Sequence, residues 1–415
     1  MTRIDGLNPE IFVWAREQAG LELAEAAKRI GFQSSVKNSA EDKLIQIESG
    51  FAAPTRVQLE KFAEVYRRPL VTFYLKQPPQ ISLKGEDFRG PISTLSYREN
   101  ANLNALLRDI RARQELVKDV LDYEEEQQKI SLVGSCKIEQ GVDYFVSKIS
   151  EYLGFDHLDR SLRKGGPDQL FKSLRASCEV KGIFVVLAGD LGSHHSAISV
   201  SVFRGFVISN DTAPFIVIND QDAKAARPFS LLHELAHLCM GQTGISAETS
   251  LNSLSGRTEI IERFCDDVAS RFLLPEHALS APPVNARNDV AALKNIISGI
   301  AELWAVSEPM VAYRYWRKSW IEDATAKELF KLYRDRWASN RAEQRERNRN
   351  TEGGPSFYTI KQSKLGNALI SLIQRNLYDN LISPSRAAKV LGVNVGSVEP
   401  LIRHYESSLF DRRRA

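Results

Sequence analysis

The stretch that most constrains this chain is FSLLHELAHL, residues 229–238, because it places two histidines and a glutamate in the pattern H-E-x-x-H. On an α-helix, His233 and His237 lie one turn apart on the same face, so their imidazoles can hold a single ion. Leucines, an alanine and the lack of internal glycine or proline favour a helix, with Ser230 as its N-cap. Glu234 projects about 100° around the helix from His233, where a general base for a metal-bound water is expected. The alternative is a buried helix with two hydrogen-bonded histidines.

A catalytic zinc ion needs three protein ligands, and a later segment offers the third. The run EIIERFCDDVASRFLLPE predicts a second helix, which carries Glu262 twenty-five residues after His237. Asp266 lies on the same face, and we expect it to orient a histidine; in a competing assignment Asp266 itself is the ligand. The pair His194 and His195, in a Gly/Ser-rich loop, either faces this cleft or lies on the surface.

Composition limits the class of protein. The chain has 415 residues, of which 43% are hydrophobic and 26% charged, with a formal net charge of +3. These values are typical of a globular protein of two to four domains. The longest apolar run is shorter than the roughly eighteen residues that span a bilayer, and the N-terminus lacks the apolar core of a signal peptide. We therefore expect a cytoplasmic protein that does not contact a membrane.

The cysteines are widely spaced and include no C-x-x-C pair. At this chain length a disulfide framework is not expected, so we predict reduced and mostly buried thiols rather than metal ligands. They are Cys136, Cys178, Cys239 and Cys265.

The first 78 residues predict a bundle of five helical elements. An Asn8-Pro9 start is typical of a helix N-terminus, and glycines at 20, 31 and 50 end three successive apolar patterns. A turn at Ala53-Pro54 precedes a fourth helix, and an apolar fifth element follows. Lysine and arginine number eleven here against ten acidic residues, which is too balanced for a strong phosphate-binding surface.

The turn E-S-G-x-x-x-P-T at residues 48–55 resembles the turn that follows the third helix of XRE-type helix-turn-helix domains. The resemblance implies a recognition helix that starts near Ser39 and presents Ser39, Lys43 and Gln46 to the major groove of DNA. The connection before this helix is longer than the usual tight turn. A bundle that docks onto protein is therefore the alternative to DNA binding.

The central region changes character. Residues 79–130 predict a linker and a long amphipathic connecting helix. Residues 131–280 combine helices with strand-like runs, which are GIFVVLAG, AISVSVFRG, GFVISN and PFIVIND. A small β-sheet followed by two metal-bearing helices is an α+β arrangement within a predominantly helical chain. Because PFIVIND comes just before the H-E-x-x-H helix, we expect it to pair with an extended substrate segment.

Three segments resemble the ImmA/IrrE (DUF955) family of zinc metallopeptidases in the form fused behind an XRE-type domain. They are FRGFVISNDTAPFIVIND, ARPFSLLHELAHLCMG and IERFCDDVASRFLLPE, and the likeness runs from about residue 10 to 280. The resemblance implies a gluzincin-like site with His233, His237 and Glu262 as zinc ligands and Glu234 as base. Many members carry asparagine where this chain has Asp266, which leaves the role of that position open. Characterised relatives cleave helix-turn-helix repressors.

The remaining third of the chain predicts helices. Residues 281–337 have a helix-turn-helix outline, with a packing lobe as the alternative. Residues 338–355 predict a mobile linker. Residues 356–415 predict a small helical module in which Ser383-Pro384 caps the second helix. Between residues 314 and 350, eleven basic residues face six acidic ones, which indicates either a solvated helix or a nucleic-acid contact.

Two functions fit these patterns. The first is a zinc-dependent, site-specific endopeptidase that regulates transcription by cleaving a helix-turn-helix repressor or an antitoxin partner. The second is a DNA-binding regulator or antitoxin-like protein whose metal domain is a sensor without proteolytic activity. DNA would bind through the N-terminal domain, and a homodimer is left open. His277 and Arg271 are near the site in sequence, but nothing in the sequence selects either as the group that stabilises an oxyanion.

Overall fold

Apolar residues at three- and four-residue spacing predominate along the chain, and the computed structural model is accordingly mainly helical. The structure describes residues 3–4, 6–35, 38–79, 86–87, 96–123, 129–192, 196–246, 256–349 and 354–414, which contain sixteen α-helices and five short strands. The chain forms two compact units. Unit 1 comprises Met1–Lys84, Ile92–Asp109 and Asp190–Val202, and unit 2 comprises Gly85–Pro91, Ile110–Gly189 and Phe203–Ala415.

Unit 1 begins with four α-helices, which are α1 (Pro9–Gln18), α2 (Leu23–Ile30), α3 (Ala40–Glu48) and α4 (Arg56–Val65). The side chain of Asn8 caps α1, and Ser39 and Thr55 form capping boxes at α3 and α4. The fifth element of the predicted five-helix bundle is a single 3-10 helix, Leu70–Tyr74. Pro69 and the β-branched pair Val71 and Thr72 disfavour a longer α-helix.

Aromatic side chains fill the core of these helices. Phe12 lies 5.0 Å from Phe62 and 5.1 Å from Phe73, measured between ring centroids, and all three are buried. Arg16 of α1 forms a bidentate ion pair with Glu48 of α3, with distances of 2.8 and 3.0 Å. The ring cluster and the ion pair together fix α1 against α3 and α4.

Helix α5, Tyr97–Tyr123, is the long amphipathic helix that the leucine pattern predicts. Its part within unit 2 carries Gln114, whose buried amide donates hydrogen bonds to the carbonyl oxygens of Ile208 (3.0 Å) and Ala213 (2.7 Å). These carbonyls lie at the turn between two strands, so α5 is tied to the edge of a β-hairpin.

The sheet of unit 2 has the strand order β1-β5-β3-β4-β2. Its three longest strands, of four residues each, are fully buried: β2 (Phe184–Leu187), β3 (Gly205–Ile208) and β4 (Phe215–Ile218). Strand β3 is antiparallel to β4 and to β5 (Gly244–Ser246), whereas β2 is parallel to β4 and β1 (Glu86–Asp87) is parallel to β5.

One strand prediction and one strand-pairing prediction are wrong. The run AISVSVFRG does not form a strand before Gly205, because Ser199 closes a turn. The Ser199 carbonyl accepts a hydrogen bond from Val202 N–H, and the Ser199 hydroxyl accepts from both the backbone N–H and the hydroxyl of Ser201. The run PFIVIND forms β4, but β4 pairs with β3 on one side and β2 on the other. Both hydrogen-bonding edges are used, so β4 cannot add a substrate strand.

Seven helices of unit 2 contribute buried residues to one core together with the sheet: α6 (Val142–Leu153), α7 (Gly166–Val180), α8 (Arg227–Cys239), α9 (Arg257–Leu273), α10 (Val290–Trp304), α11 (Glu308–Arg317) and α12 (Asp323–Arg349). Leu293, Ile297 and Tyr315 of α10 and α11 are buried in the same cluster as Leu231 and Cys265. The helix-turn-helix outline in residues 281–337 therefore takes part in the core that surrounds the H-E-x-x-H helix.

Helix α12 continues to Arg349, so the linker predicted to begin at residue 338 is helical over its first twelve residues. Alanine, glutamate, glutamine and arginine in this stretch are good helix formers, and Glu343 pairs with Arg347 one turn later. Several basic residues of the 314–350 segment have internal partners: Arg314 donates to the Leu274 carbonyl, and Arg341 to Gln221.

The C-terminal module has four helices, α13 (Phe357–Leu365), α14 (Asn367–Tyr378), α15 (Pro384–Leu391) and α16 (Val398–Arg414). Ser383 caps α15 as expected, although α15 is the third helix of the module rather than the second. A buried ion pair on α7, between Arg175 and Glu179, holds the start of this module.

No single helix in the described part of the chain has the length and hydropathy needed to cross a membrane; α10 and α11 meet that test only together, across a bend of 113°. All four cysteines are buried and outside any disulfide.

Candidate metal centre

The H-E-x-x-H segment lies on α8, which begins at Arg227 rather than at the predicted N-cap Ser230. Pro228 in the first turn favours the earlier start, and the Ser230 hydroxyl instead lies 3.4 Å from the carbonyl of Ala226. Every residue from Ser230 to Cys239 is buried. Ionisable side chains in a helix that is buried on all sides are costly unless they bind a partner or an ion. The burial of His233, Glu234 and His237 therefore requires an explanation.

Helices α8 and α9 bring the three predicted ligands together. The Nε2 atoms of His233 and His237 are 3.1 Å apart. Glu262 of α9 approaches both, with Oε2 3.3 Å from Nε2 of His233 and Oε1 3.0 Å from Nε2 of His237. All three side chains are buried, and their ligand atoms form the one cluster of this kind in the described residues.

The outer nitrogen of each imidazole has its own acceptor. Nδ1 of His233 lies 2.9 Å from Oδ1 of Asp266, and Nδ1 of His237 lies 3.3 Å from Oε1 of Gln242. Carboxylate and amide oxygens at these positions favour the tautomer with a proton on Nδ1 and a lone pair on Nε2. Asp266 thus contacts the nitrogen of His233 that faces away from Glu262, the geometry expected of an orienting residue rather than of a ligand.

The geometry of the cluster fits a metal ion. Both carboxylate oxygens of Glu262 are buried and accept no hydrogen bond. Tetrahedral zinc with bonds of about 2.0–2.1 Å separates neighbouring ligand atoms by about 3.3 Å. The observed separations of 3.0–3.3 Å come close to this value. Lone pairs that converge at such distances repel one another unless a cation lies between them.

The electrostatics favour positive charge at the same point. Burial disfavours the protonated imidazole of His233, but the carboxylates of Glu262 and Asp266 outweigh it and raise the pKa of His233 well above its usual value. Burial likewise disfavours the ionised form of Glu262, but the neighbouring His233 lowers the pKa of this carboxyl to about 2. In the metal-free protein, protons therefore take the place that a divalent cation would occupy.

Glu234 is buried beside the cluster and is held against the sheet. A Cβ atom added to Gly205, the first residue of β3, would lie 2.6 Å from Oε1 of Glu234 and 2.9 Å from its Cγ. Only glycine leaves room for the carboxylate at this point of the strand. Gly205 is thus a site residue that the sequence analysis missed.

One comparison with known proteins gives a match in this region. The family described as IrrE N-terminal-like domain, Peptidase_M78, matches residues 178–315. Searches of curated proteins and of solved structures give no match for the chain. The Peptidase_M78 match begins at the end of α7 and ends in α11, so it contains every residue of the cluster. It supports the ImmA/IrrE resemblance and a metallopeptidase-like function over this segment, whereas the XRE-type fusion stays a prediction.

Within the Peptidase_M78 segment, a second polar group lies beside Asp266. Asp267 accepts hydrogen bonds from Arg317 Nε (3.0 Å) and from the hydroxyl of Tyr313 (3.1 Å). Burial, with the charges of Asp266 and Asp267, raises the pKa of Tyr313, so its hydroxyl keeps its proton. These contacts hold α9 against α11 and so fix the part of α9 that carries Asp266.

Gln242 is the second residue that the sequence analysis missed. It follows Gly241, which has a φ of 69° and ends the turn after α8. The backbone N–H of Gln242 donates to the His237 carbonyl (3.1 Å), which brings its side chain back to the His237 ring. A polar residue directly after the glycine that ends the helix is the available sequence signal.

Other predicted residues lie elsewhere. His194 and His195 lie outside the described residues. The His277 ring packs on Trp304 at 5.7 Å, and Arg271 pairs with Asp143 and Glu276. Both contacts are structural ones, and they provide no support for a role of either residue at an oxyanion.

The predicted DNA-contacting residues lie at α3, but two of them make local contacts. The Ser39 hydroxyl accepts from Asp42 N–H (3.0 Å) as the helix cap, and Lys43 donates to the Gln33 carbonyl (2.7 Å). Gln46 is half-buried. Contact of these residues with DNA stays a prediction.

Proposed function

We propose that this protein is a zinc-dependent endopeptidase. The observation that carries the proposal is the convergence of His233, His237 and Glu262 on one point at separations of 3.0–3.3 Å, beside the buried Glu234. Three protein ligands from nitrogen and carboxylate oxygen are the donor set of catalytic zinc sites, which keep a fourth position for water or substrate. The Peptidase_M78 match supports the same chemistry.

His233, His237 and Glu262 would hold the zinc ion, whose Lewis acidity lowers the pKa of water and polarises a peptide carbonyl. Glu234 accepts the proton of the attacking water at its carboxylate and then gives it to the leaving amine. Asp266 and Gln242 keep each imidazole in the tautomer that presents Nε2. Gly205 lets the Glu234 carboxylate lie where it can accept that proton.

We further propose that the substrate is a helix-turn-helix repressor or antitoxin and that its cleavage changes transcription. The support is the likeness of residues 178–315 to the IrrE type of domain, together with the turn at residues 48–55 that resembles XRE-type proteins. Residues 1–78 would then recognise DNA or the partner protein, in the cytoplasm.

The second candidate is a regulator that binds DNA through residues 1–78 and uses the metal domain as a sensor. The capped helices α3 and α4 and their shared aromatic core favour a stable recognition bundle. Such a protein would hold zinc and would cleave nothing.

The test uses the full-length protein, a proteome-derived peptide library and mass spectrometry of the new N-termini. We expect a narrow set of cleaved sequences with the wild type. Glu234→Gln keeps the shape of the side chain and the zinc ligands, and we expect it to lose about 10²- to 10⁴-fold in cleavage rate with unchanged zinc content. A wild type that binds zinc and cleaves none of the library, or a Glu234→Gln variant as active as the wild type, would exclude the endopeptidase.

A further inference from the structure

Unit 1 contains a cavity of about 360 Å³ that lies apart from α3. Four arginines line it, and they come from three separate parts of the unit: Arg29 from α2, Arg67 from the end of α4, and Arg98 and Arg108 from α5. Its size falls within the range of about 300–1,000 Å³ that is usual for small-molecule sites.

The four arginines of the cavity differ in their partners. Glu25 forms ion pairs with two of the arginines, at 2.5 Å from Arg29 and 3.7 Å from Arg98. Arg67 donates to the neutral amide oxygen of Asn102 at 3.3 Å. The guanidinium groups of Arg67 and Arg108, which have no carboxylate partner in the part of the chain that the structure describes, favour the entry of an anion.

The mutual repulsion of these groups contributes to a lowering of their pKa values. Burial, and then the charges of Arg29 and Arg98, lower the pKa of Arg67. Burial, and then the charge of Arg67, lower the pKa of Arg108. An anion in the cavity would relieve this repulsion.

The backbone at Arg67 points to the same site. Arg67 follows the C-cap of α4 and has a φ of 53°, in the left-handed region that favours glycine. A glycine there would give the same turn without strain. Arginine at this position places a guanidinium group in the cavity wall, and strained residues of this kind cluster at functional sites.

We infer that this cavity binds a small phosphorylated molecule with a partly apolar body. The paired N–H donors of a guanidinium group match the spacing of phosphate oxygens, and several arginines suit a ligand that carries two or more negative charges. The rest of the wall includes the largely apolar side chains of Leu21, Val65, Tyr66 and Ala101, beside the polar Gln18, Asn102 and Ser196. A nucleoside diphosphate combines both properties.

A small molecule fits this site better than a DNA backbone does. The predicted DNA-contacting residues Ser39, Lys43 and Gln46 are absent from the lining of the cavity. Arg67 is exposed, but Arg108 is half-buried beside the buried Leu21 and Tyr66, whereas phosphates of a duplex need basic groups that project from the surface.

The experiment is isothermal titration of the full-length protein with ADP, inorganic pyrophosphate and adenosine. We expect one ADP site per chain and much weaker binding of adenosine. Pyrophosphate that binds as tightly as ADP would show that the phosphates alone are recognised, which supports an anion site. The same titration of His237→Ala excludes the metal centre as the place of binding, because ADP affinity should not change.

Two variants locate the site. Arg67→Gly removes the guanidinium group and relieves the backbone, so the variant should fold at least as well as the wild type. Arg108→Gln removes a second charge. Each should weaken ADP binding by about 10- to 100-fold, which is the usual loss for a charge-assisted hydrogen bond. Ser319→Gly in unit 2, where φ is 55°, is the matched control and should leave the affinity unchanged.

Three results would overturn the proposal. They are the lack of saturable heat with both ADP and pyrophosphate, equal affinity for adenosine and ADP, and unchanged ADP affinity in both arginine variants. Displacement of ADP by a short DNA duplex at equal phosphate concentration would assign the arginines to nucleic acid instead.

Discussion

Two glutamates in unit 2, whose side chains are 7% and 1% exposed, lie in opposite hydrogen-bonding environments. Glu179 on α7 accepts from Arg175 Nε (2.9 Å) and from the backbone N–H groups of Asn367 (2.9 Å) and Ala368 (3.2 Å). Glu262 on α9 accepts no hydrogen bond at either oxygen, although two imidazoles lie within 3.3 Å of it.

Arg175 is equally well satisfied, since its nitrogens also reach the carbonyls of Val185, Ser363 and Lys364. This ion pair therefore needs nothing further and serves to fix the C-terminal module. The Glu262 oxygens and the Nε2 atoms of His233 and His237 instead converge on one point, where a shared cation would satisfy them. The two glutamates are alike in burial and charge, and they differ in whether their oxygens accept hydrogen bonds. We use this difference to distinguish the structural ion pair of Glu179 from the proposed metal site of Glu262.

The largest effect is expected from a variant that removes the fully hydrogen-bonded carboxylate of Glu179. Glu179→Ala leaves Arg175 buried without its carboxylate and two backbone N–H groups without an acceptor. We expect a loss of about 3–5 kcal/mol in the free energy of unfolding, measured by urea denaturation. Glu399→Ala, which removes the exposed i,i+4 pair with Arg403, is the control and should cost less than about 0.5 kcal/mol. Equal effects of the two variants would contradict the comparison.

The second prediction moves the proposed base, Glu234, without touching the proposed metal ligands. Gly205→Ala places a methyl group 2.6 Å from the present position of Glu234 Oε1, so the carboxylate must shift. A displacement of about 1 Å can cost about 100-fold in rate, and we expect a loss of that size in peptide cleavage, with zinc content unchanged. Gly299→Ala is the control, because its added Cβ would meet nothing within 4 Å. Full activity in Gly205→Ala would remove Gly205 from the site.

The third prediction weakens the orientation of a ligand. Asp266→Ala leaves Nδ1 of His233 without its acceptor at 2.9 Å. Zinc affinity, measured by competition with a chromogenic chelator, should fall about 10- to 100-fold. Asp266→Asn keeps an acceptor oxygen and should lose less. A complete loss of zinc in both variants would instead make Asp266 a ligand.

The smallest effect concerns pH. The pKa of His233 is raised in the folded, metal-free protein. The protonated imidazole therefore contributes its full stabilisation below the pKa of the unfolded state, about 6.5, and this contribution is lost as pH rises through the folded-state pKa. Zinc replaces that proton, so the stabilisation by zinc should grow with pH over the same interval. Thermal melts with and without zinc between pH 6 and 9 measure it, and a shift that shrinks with pH would contradict the assignment.

Local spacing explains what the sequence could predict. His233, Glu234 and His237 are fixed relative to one another by the pitch of one helix, and Glu262 follows from the need for a third ligand on the returning helix. The caps Asn8, Ser39 and Ser383 likewise depend only on neighbouring residues.

Contacts between distant segments could not be predicted. Gly205 matters because β3 passes close to α8, and the pairing of β4 on both edges depends on the strand order of the whole sheet. Arg29, Arg67 and Arg108 are dispersed among ordinary helix-surface arginines, and only their spatial arrangement around one cavity distinguishes them.

The central claim is that Glu262 and the two histidines form a metal site, and zinc stoichiometry tests it most directly. Purified full-length protein is dialysed against zinc, and its metal content is measured by plasma mass spectrometry beside a Glu262→Gln variant of confirmed fold. We expect one zinc ion per wild-type chain and loss of that zinc from the variant. A folded wild type that retains no zinc, or a variant that retains as much as the wild type, would contradict the claim.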